Sequence, residues 1–167
     1  PLLLSTWTSN ITNSYQLQLM AAAPAASYIL SNNLNMTNTT GNAADVWGSA
    51  GFVSVGDLAH PFTGSLNGQN YAINNLFINA AASSTNVGLF GYTSGATIRN
   101  LGLTNVNVSG GLNVGALVGF ADNNTTITNT FSRGTVTGKS VAAGSSSGVG
   151  GLVGKLKGTM KYSFSDS

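Results

Sequence analysis

Three near-identical phrases in the second half of the chain constrain its fold more than any other feature. They are Val87-Gly-Leu-Phe-Gly91, Val114-Gly-Ala-Leu-Val-Gly119 and Val149-Gly-Gly-Leu-Val-Gly154. A polar turn follows each, then a stretch rich in Thr, Ser and Asn with apolar residues interspersed. Their last glycines lie 28 and then 35 residues apart. A period in this range marks a repeat architecture, in which each unit buries its apolar face only by stacking on its neighbours.

A second landmark advances with the first. Ile73-Asn-Asn-Leu76, Ile98-Arg-Asn-Leu101 and Ile127-Thr-Asn-Thr130 are offset by 25 and 29 residues. A coil of three short strands joined by bends would use about this many residues, each strand pairing in parallel with its equivalent one coil away at about 4.8 Å. The pattern places Leu89, Leu117 and Leu152 in an inward apolar column. It places Gly91, Gly119 and Gly154 at bends that need positive φ or close backbone approach. Asn100 and Asn129 are expected to form an amide ladder along the axis. The insertion Gly144-Ser-Ser-Ser-Gly148 accounts for much of the longer second spacing.

The first sixty residues differ. Asn13 is the expected N-cap of a short helix from Ser14 to about Ala22, stopped by Pro24. Leu17, Met20 and Ala21 would face the first coil, so that the helix closes an end that otherwise exposes unpaired strands. Tyr28, Leu30, Leu34 and Met36 alternate with polar residues around the Asn32-Asn33 pair, which suits strand, bend, strand. Thr37 to Gly48 reads as a loop. Phe52-Val-Ser-Val55 reads as a further strand, turned at Gly56-Asp57.

Only 6% of residues are charged, and the net charge is +2. The acids are Asp45, Asp57, Asp122 and Asp166, with no Glu; Lys155, Lys157 and Lys161 form the one basic concentration. This is too little for a nucleic-acid interface, which wants a basic stripe with stacking aromatics. Solubility rests on Asn, Thr, Ser and Gly, the palette of β-rich surfaces with tight turns. Without cysteine there is no disulfide framework and no thiolate metal site. No stretch is long and apolar enough to span a bilayer, and Pro1-Leu-Leu-Leu4 is too short for a signal-peptide core. The chain reads as a mature or excised piece that stops inside its third unit, which implies that the native polypeptide continues.

The phrases Gly88-Leu-Phe-Gly91, Gly115-Ala-Leu-Val-Gly119 and Gly151-Leu-Val-Gly154 resemble the GLUG repeat of large bacterial surface proteins. Tyr28-x-Leu-x-Asn, the Trp47…Gly51-Phe52 segment and Phe62-x-Gly-x-Leu-Asn-Gly68…Ile73-x-Asn-Leu76 are similar to the run that leads into such repeats in filamentous-haemagglutinin-like adhesins. The resemblance spans about residues 11–167. It implies an all-β fold, a right-handed parallel β-helix with the short N-terminal helix as cap, exported to the cell surface or the medium. In that scheme residues 1–60 are the cap and first coils and residues 61–167 the GLUG-type repeats of one continuous solenoid. The family motif is structural and carries over no catalytic residue. An Asn-Pro-Asn-Leu-like motif of two-partner secretion domains is missing, so the piece reads as passenger, with the export route open.

Parallel β-helices also include polysaccharide lyases and hydrolases, which depend on particular residue sets. Glycoside hydrolysis ordinarily needs two neighbouring carboxylates, and the four Asp lie far apart in sequence. Asp57 and His60 could form an acid–base pair; the plainer reading is a turn Asp and a pre-proline loop histidine. Gly-x-Ser-x-Gly, His-x-x-x-His, a phosphate-binding loop and the calcium nonapeptide are all missing. The Asn-x-Ser/Thr sites at Asn35 and Asn123 matter only where a glycosyltransferase acts on them. No strict Thr-x-Thr ladder suggests ice binding. Tyr92, Phe120 and Tyr162 are either sugar-stacking platforms or core.

The expectation is therefore a non-enzymatic adhesin module without cofactor, metal, nucleic-acid partner or membrane insertion. Its partners would be a host or neighbouring cell surface, including glycans, and adjacent repeats or further copies of itself. The alternative is a structural spacer or self-assembling extracellular filament subunit. No residue is assigned a catalytic, cofactor-binding or metal-binding role.

Overall fold

A computed structural model describes residues 3–40, 44–139 and 147–166. Helix is scarce in it. After a 3-10 turn at Leu4–Thr6 and strand β1 (Asn10–Ile11), α1 (Ser14–Gln18) runs into a 3-10 turn at Leu19–Ala22. Strands β2 (Ser27–Leu30) and β3 (Leu34–Asn35) precede 3-10 turns at Thr37–Thr39 and Gly48–Ala50. Strands then follow one another: β4 (Ser65–Asn67), β5 (Ala72–Asn74), β6 (Phe77–Asn79), β7 (Thr85–Val87), β8 (Phe90–Thr93) and β9 (Thr97–Gly110). The last are β10 (Leu112–Gly115), β11 (Val118–Ala121), β12 (Thr126–Gly138), β13 (Val149–Gly150), β14 (Val153–Leu156), β15 (Thr159–Lys161) and β16 (Phe164–Asp166). Every strand-to-strand pairing is parallel, and the chain winds as a parallel β-solenoid of about three turns.

The coil has five short segments per turn, not the expected three. In the coil that begins at Thr97, β9 supplies three of them. Residues 97–99 pair with β4, 102–104 with β5 and 107–109 with β6. The fourth and fifth are β10, on β7, and β11, on β8. What breaks β9 into segments is asparagine in the left-handed region, at Asn100 (φ 54) and Asn105 (φ 50). Asn adopts this region far more readily than other residues that carry a Cβ. Asn75, Asn86, Asn113 and Asn129 hold the same conformation at other corners.

These corner amides stack. Asn129 Nδ2 donates to Asn100 Oδ1 at 2.8 Å, and Asn100 Nδ2 donates to Asn67 Oδ1 at 3.3 Å, forming the expected ladder. Two further ladders stand at other corners. Asn105 donates to Asn75 and Asn75 to Asn35; separately, Asn113 donates to Asn86. The Ile-x-Asn alignment is half right. Ile98 does pair with Ile127, but Ile73 pairs with Leu103, and the partner of Ile98 is Leu66. The same apolar-x-Asn-apolar phrase serves more than one corner, and the copy at Ile73 belongs to the corner of Leu103, not that of Ile98.

Inward residues form continuous columns. Tyr28, Leu66, Ile98, Ile127 and Met160 succeed one another in register. Leu89, Leu117 and Leu152 are buried as expected. Gly91, Gly119 and Gly154 lie inside β8, β11 and β14 rather than at bends, and none has positive φ. Close approach is what they provide. A Cβ on Gly154 would sit 2.6 Å from the backbone of Asn113 and Val114, and one on Gly119 would collide with Asn86 and Val87.

At the N-terminal end the Asn13 side chain accepts from the Gln16 backbone N–H at 2.9 Å, the cap read from sequence. Leu17 and Met20 enter the same hydrophobic cluster as the columns. Ala21 is exposed, contrary to expectation, because the α-helix gives way after Gln18 to a 3-10 turn. Three residues per turn keep i and i+3 on one face and turn i+4 away. Gln18 pins the following segment: its amide donates to Val53 O and accepts from Val53 N and Trp47 Nε1. Phe52 and Val55 are buried here, but the segment makes only isolated bridges, Gly51 to Ile78 and Val55 to Phe90, and is no strand. The insertion Gly144–Gly148 falls largely outside the described residues.

Two variants test the scheme. Leu117→Ala should cost about 2–5 kcal/mol in denaturant unfolding, from lost burial and the cavity left behind. Asn100→Gly keeps the left-handed corner and loses only the amide bonds. It should therefore be less destabilising than Asn100→Ala by about 1 kcal/mol.

Candidate functional site

The side chains that could carry acid–base chemistry are dispersed. Asp57 Oδ1 accepts from the backbone N–H groups of Ala59 and His60 at 2.9 and 2.8 Å and lies 3.6 Å from His60 Nδ1. The His60 N–H is the main reason its carboxyl stays below the usual range. The two side chains are 70% and 83% exposed, the arrangement of an Asp-capped turn. Asp45 accepts from the Tyr15 hydroxyl, Asp166 lies 3.8 Å from Arg133, and Asp122 has partners of its own. Among the described residues no three His, Cys, Asp or Glu side chains come together. With one His and no Cys in the chain, the residues present do not fit a catalytic metal.

The fifth face of the coil carries a compact polar and aromatic cluster. Tyr92, Phe120 and Lys155 succeed one another in register, and the two rings meet edge to face at 5.0 Å. Lys155 and Lys157 place their ammonium groups 5.2 and 5.3 Å from the centre of the Phe120 ring. The Tyr92 hydroxyl donates to Asp122 Oδ2 at 2.6 Å, with Lys157 Nζ 3.8 Å from Oδ1. That bond, with burial second, pushes the Tyr92 phenol up to about 12, and the same bond holds Asp122 below the usual carboxylate range. Tyr92 is 7% exposed and Phe120 is covered by ammonium groups, so neither offers a free face for stacking a sugar. Tyr162 is 86% exposed, at a corner where φ is +51.

A groove with room for a ligand lies elsewhere, at the corner between the second and third segments. An open groove of about 580 Å³ runs there across successive coils. Asn75, Asn105, Asn107 and Thr135 line it, with Thr37 and Thr40 at one end, Phe77 beside them and buried Leu76 and Val106 contributing to its wall. The Asn75 amide is committed, donating to Asn35 Oδ1 and Thr37 Oγ1 and accepting from Asn105. One rung on, the ladder stops. Leu103 pairs with Ser132 and Val106 with Gly134, so Arg133 alone spans the place of Thr104 and Asn105. No amide follows Asn105. Its corner was missed from sequence, although Leu103-Thr-Asn105-Val106 repeats the pattern of Ile98-Arg-Asn100-Leu101 five residues earlier.

A parallel β-solenoid with neutral polar grooves, and without a clustered acid or metal set among its described residues, is the class that this geometry defines. The family is narrower: the chain belongs to the M26 IgA1-specific metallo-endopeptidase N-terminal region, whose family model matches residues 12–134. It is 34% identical over 131 residues to the immunoglobulin A1 protease of Streptococcus sanguinis, covering 75% of this chain and 6% of that protein. It is 35% identical over 102 residues to halomucin of Haloquadratum walsbyi, covering 59% of this chain and 1% of halomucin. The chain thus spans a small fraction of either relative. In structure it is similar to a Bacteroides ovatus protein provisionally described as an immunoglobulin A1 protease. That likeness has a TM-score of 0.61 and 18% identity, and covers 93% of this chain and 56% of the other, so it speaks for the fold alone. The matched region is the N-terminal one in the family's own description. No described helix is long and apolar enough to cross a membrane.

The Tyr92–Asp122 bond gives a pH signature. Asp122 has a lowered pKa in the folded state, so its contribution is fully present above the unfolded value of about 4. It is lost as pH falls through the folded value. Thermal melts of Tyr92→Phe should therefore lie below wild type by a constant margin between about pH 4 and about pH 10, and the margin should shrink on further acidification and again as pH rises toward the raised Tyr92 value of about 12.

Proposed function

We propose that this chain is a non-catalytic module of an exported bacterial surface protein of the adhesin type, related to GLUG-repeat and filamentous-haemagglutinin-like proteins. It presents solenoid faces and loops for attachment to cell surfaces or glycans. The observation that carries the reading is the division of the coil into an apolar inside and an outside of in-register hydroxyl and amide columns. Ser27, Ser65, Thr97, Thr126 and Thr159 form one such outer column, rung on rung. Support also comes from the match to an N-terminal region of a protease family and from relatives many times longer than this chain. Such a module would act outside the cell, as part of a longer polypeptide.

A spacer or filament subunit is the second reading, favoured by the last strands. Val149, Leu156, Met160 and Phe164 are exposed there, and no described strand lies above β15 or β16. An unpaired β edge is a template for another strand.

The test is attachment of fluorescent beads coated with the chain to a panel of cells and immobilised glycans. Adhesion predicts saturable attachment that soluble chain competes away. Beads that attach nowhere would sink the adhesin reading. Concentration-dependent filaments, seen by electron microscopy and abolished by Met160→Asp, would then favour assembly.

A further inference from the structure

We propose that the groove at the Asn75–Asn105 corner binds a neutral, extended β-1,4-linked glycan lying along the solenoid axis. The proposal rests on the adhesin reading and names the ligand class of one site within it.

Free hydrogen-bonding capacity is the first argument. The middle members of the two longer ladders, Asn75 and Asn100, spend both ends of their amides. Here Asn105 donates to Asn75, but its Oδ1 has no hydrogen-bond partner among the described residues. The Asn107 amide and the Thr135 hydroxyl have none either. All three line the same groove and are exposed. Together they present two acceptors, one amide donor pair and one hydroxyl that can do either, the complement of a row of sugar hydroxyls.

Charge is the second. The groove lining contains no acidic or basic residue. Lys155 and Lys157 gather on a different face, around Phe120, Lys139 is engaged by Asn79 and the Ala80 carbonyl beyond the groove, and Arg133 is paired with Asp166. A sulfated, sialylated or uronic glycan would bring a carboxylate or sulfate into a lining without a counter-charge. Phe77, half-buried in the wall, offers instead the apolar contact that the C–H face of a neutral pyranose makes with an aromatic ring.

Spacing is the third. Phe77, Asn107 and Thr135 occupy one outward column of paired rungs. Neighbouring rungs lie about 4.8 Å apart, close to the length that one residue adds to an extended β-1,4-linked chain. Each sugar can therefore lie beside one rung, with alternate sugars turned over by the near two-fold twist of the chain, as a compactly coiled chain cannot. The ladder's end at Asn105 fixes where the repeat of contacts starts.

The experiment titrates the whole chain, isotopically labelled, with cellohexaose and follows the side-chain amide signals of Asn105 and Asn107 by NMR. Maltohexaose, with the same sugars in a coiled chain, and hexagalacturonate, extended but acidic, are run in parallel. Cellohexaose should move both amide signals saturably, and the other two should bind at least several-fold more weakly. The double variant Asn107→Ala, Thr135→Ala alters only exposed side chains that have no hydrogen-bond partner among the described residues. It should melt like wild type and bind cellohexaose about tenfold more weakly, the loss expected from removing two modest hydrogen bonds. The proposal is overturned by no binding, by equal binding of either comparison sugar, or by unchanged affinity in the double variant. Failure of the groove is separable from failure of the adhesin reading. Beads that still attach to cells while cellohexaose moves no signal refute this site and leave adhesion standing.

Discussion

Every coil of this molecule depends on its neighbour for its backbone hydrogen bonds. A five-segment turn has no partner strand within itself, so its N–H and C=O groups find partners only one rung above or below. Leaving such groups buried and unpaired would cost more than a small core returns. The apolar columns, the amide ladders and the glycine phrases all serve this one requirement. Columns fill the interior at each level, ladders satisfy side chains at the corners where the chain turns, and glycine lets β11 and β14 lie directly against the backbone of the coil before. A chain with so few charges can hold together this way because stacking, not ion pairing, supplies the cohesion.

The interior was legible in the sequence and the outline of the coil was not. The Leu89, Leu117 and Leu152 column and the Ile98–Ile127 pairing could be read because each sits in a phrase distinctive enough to align with its own copy. The number of segments per turn was hidden because several corners use the same local solution, an Asn in the left-handed region followed by an apolar residue. The phrase at Ile73 therefore aligned equally well with Ile98 and with its true partner Leu103. The segment from Phe52 to Val55 has the burial of a strand without the pairing, and alternation alone reports only burial. The glycine phrases showed that something must approach closely, though not that it would be the coil before.

The groove was illegible for a further reason. It exists because one rung spends a single residue, Arg133, where the preceding rung spends two. Whether a residue is missing can be judged only once the pairing is known. Asn105, Asn107 and Thr135 look in sequence like any other Asn or Thr of a polar repeat. The Tyr92–Asp122–Lys157 cluster joins residues from three successive coils in the same way. Membership of the M26 N-terminal region family agrees with a chain whose recurring features are architectural.

The ladders have a consequence beyond holding corners. In every one the Nδ2 donor belongs to the later coil and the Oδ1 acceptor to the earlier: Asn129 to Asn100 to Asn67, Asn105 to Asn75 to Asn35, Asn113 to Asn86. The amide dipoles are therefore aligned, and each bond polarises the next. The solenoid thereby gains a polarity that its parallel strands would not impose by themselves. The N-terminal side of each ladder ends in a spent acceptor; on the C-terminal side Asn113 Oδ1 takes the Gly148 N–H, while Asn105 and Asn129 end in carbonyl oxygens that call for a donor. Anything that extends a ladder from the C-terminal side must arrive with an N–H or O–H in the lead, so the two ends of this rod are chemically different surfaces.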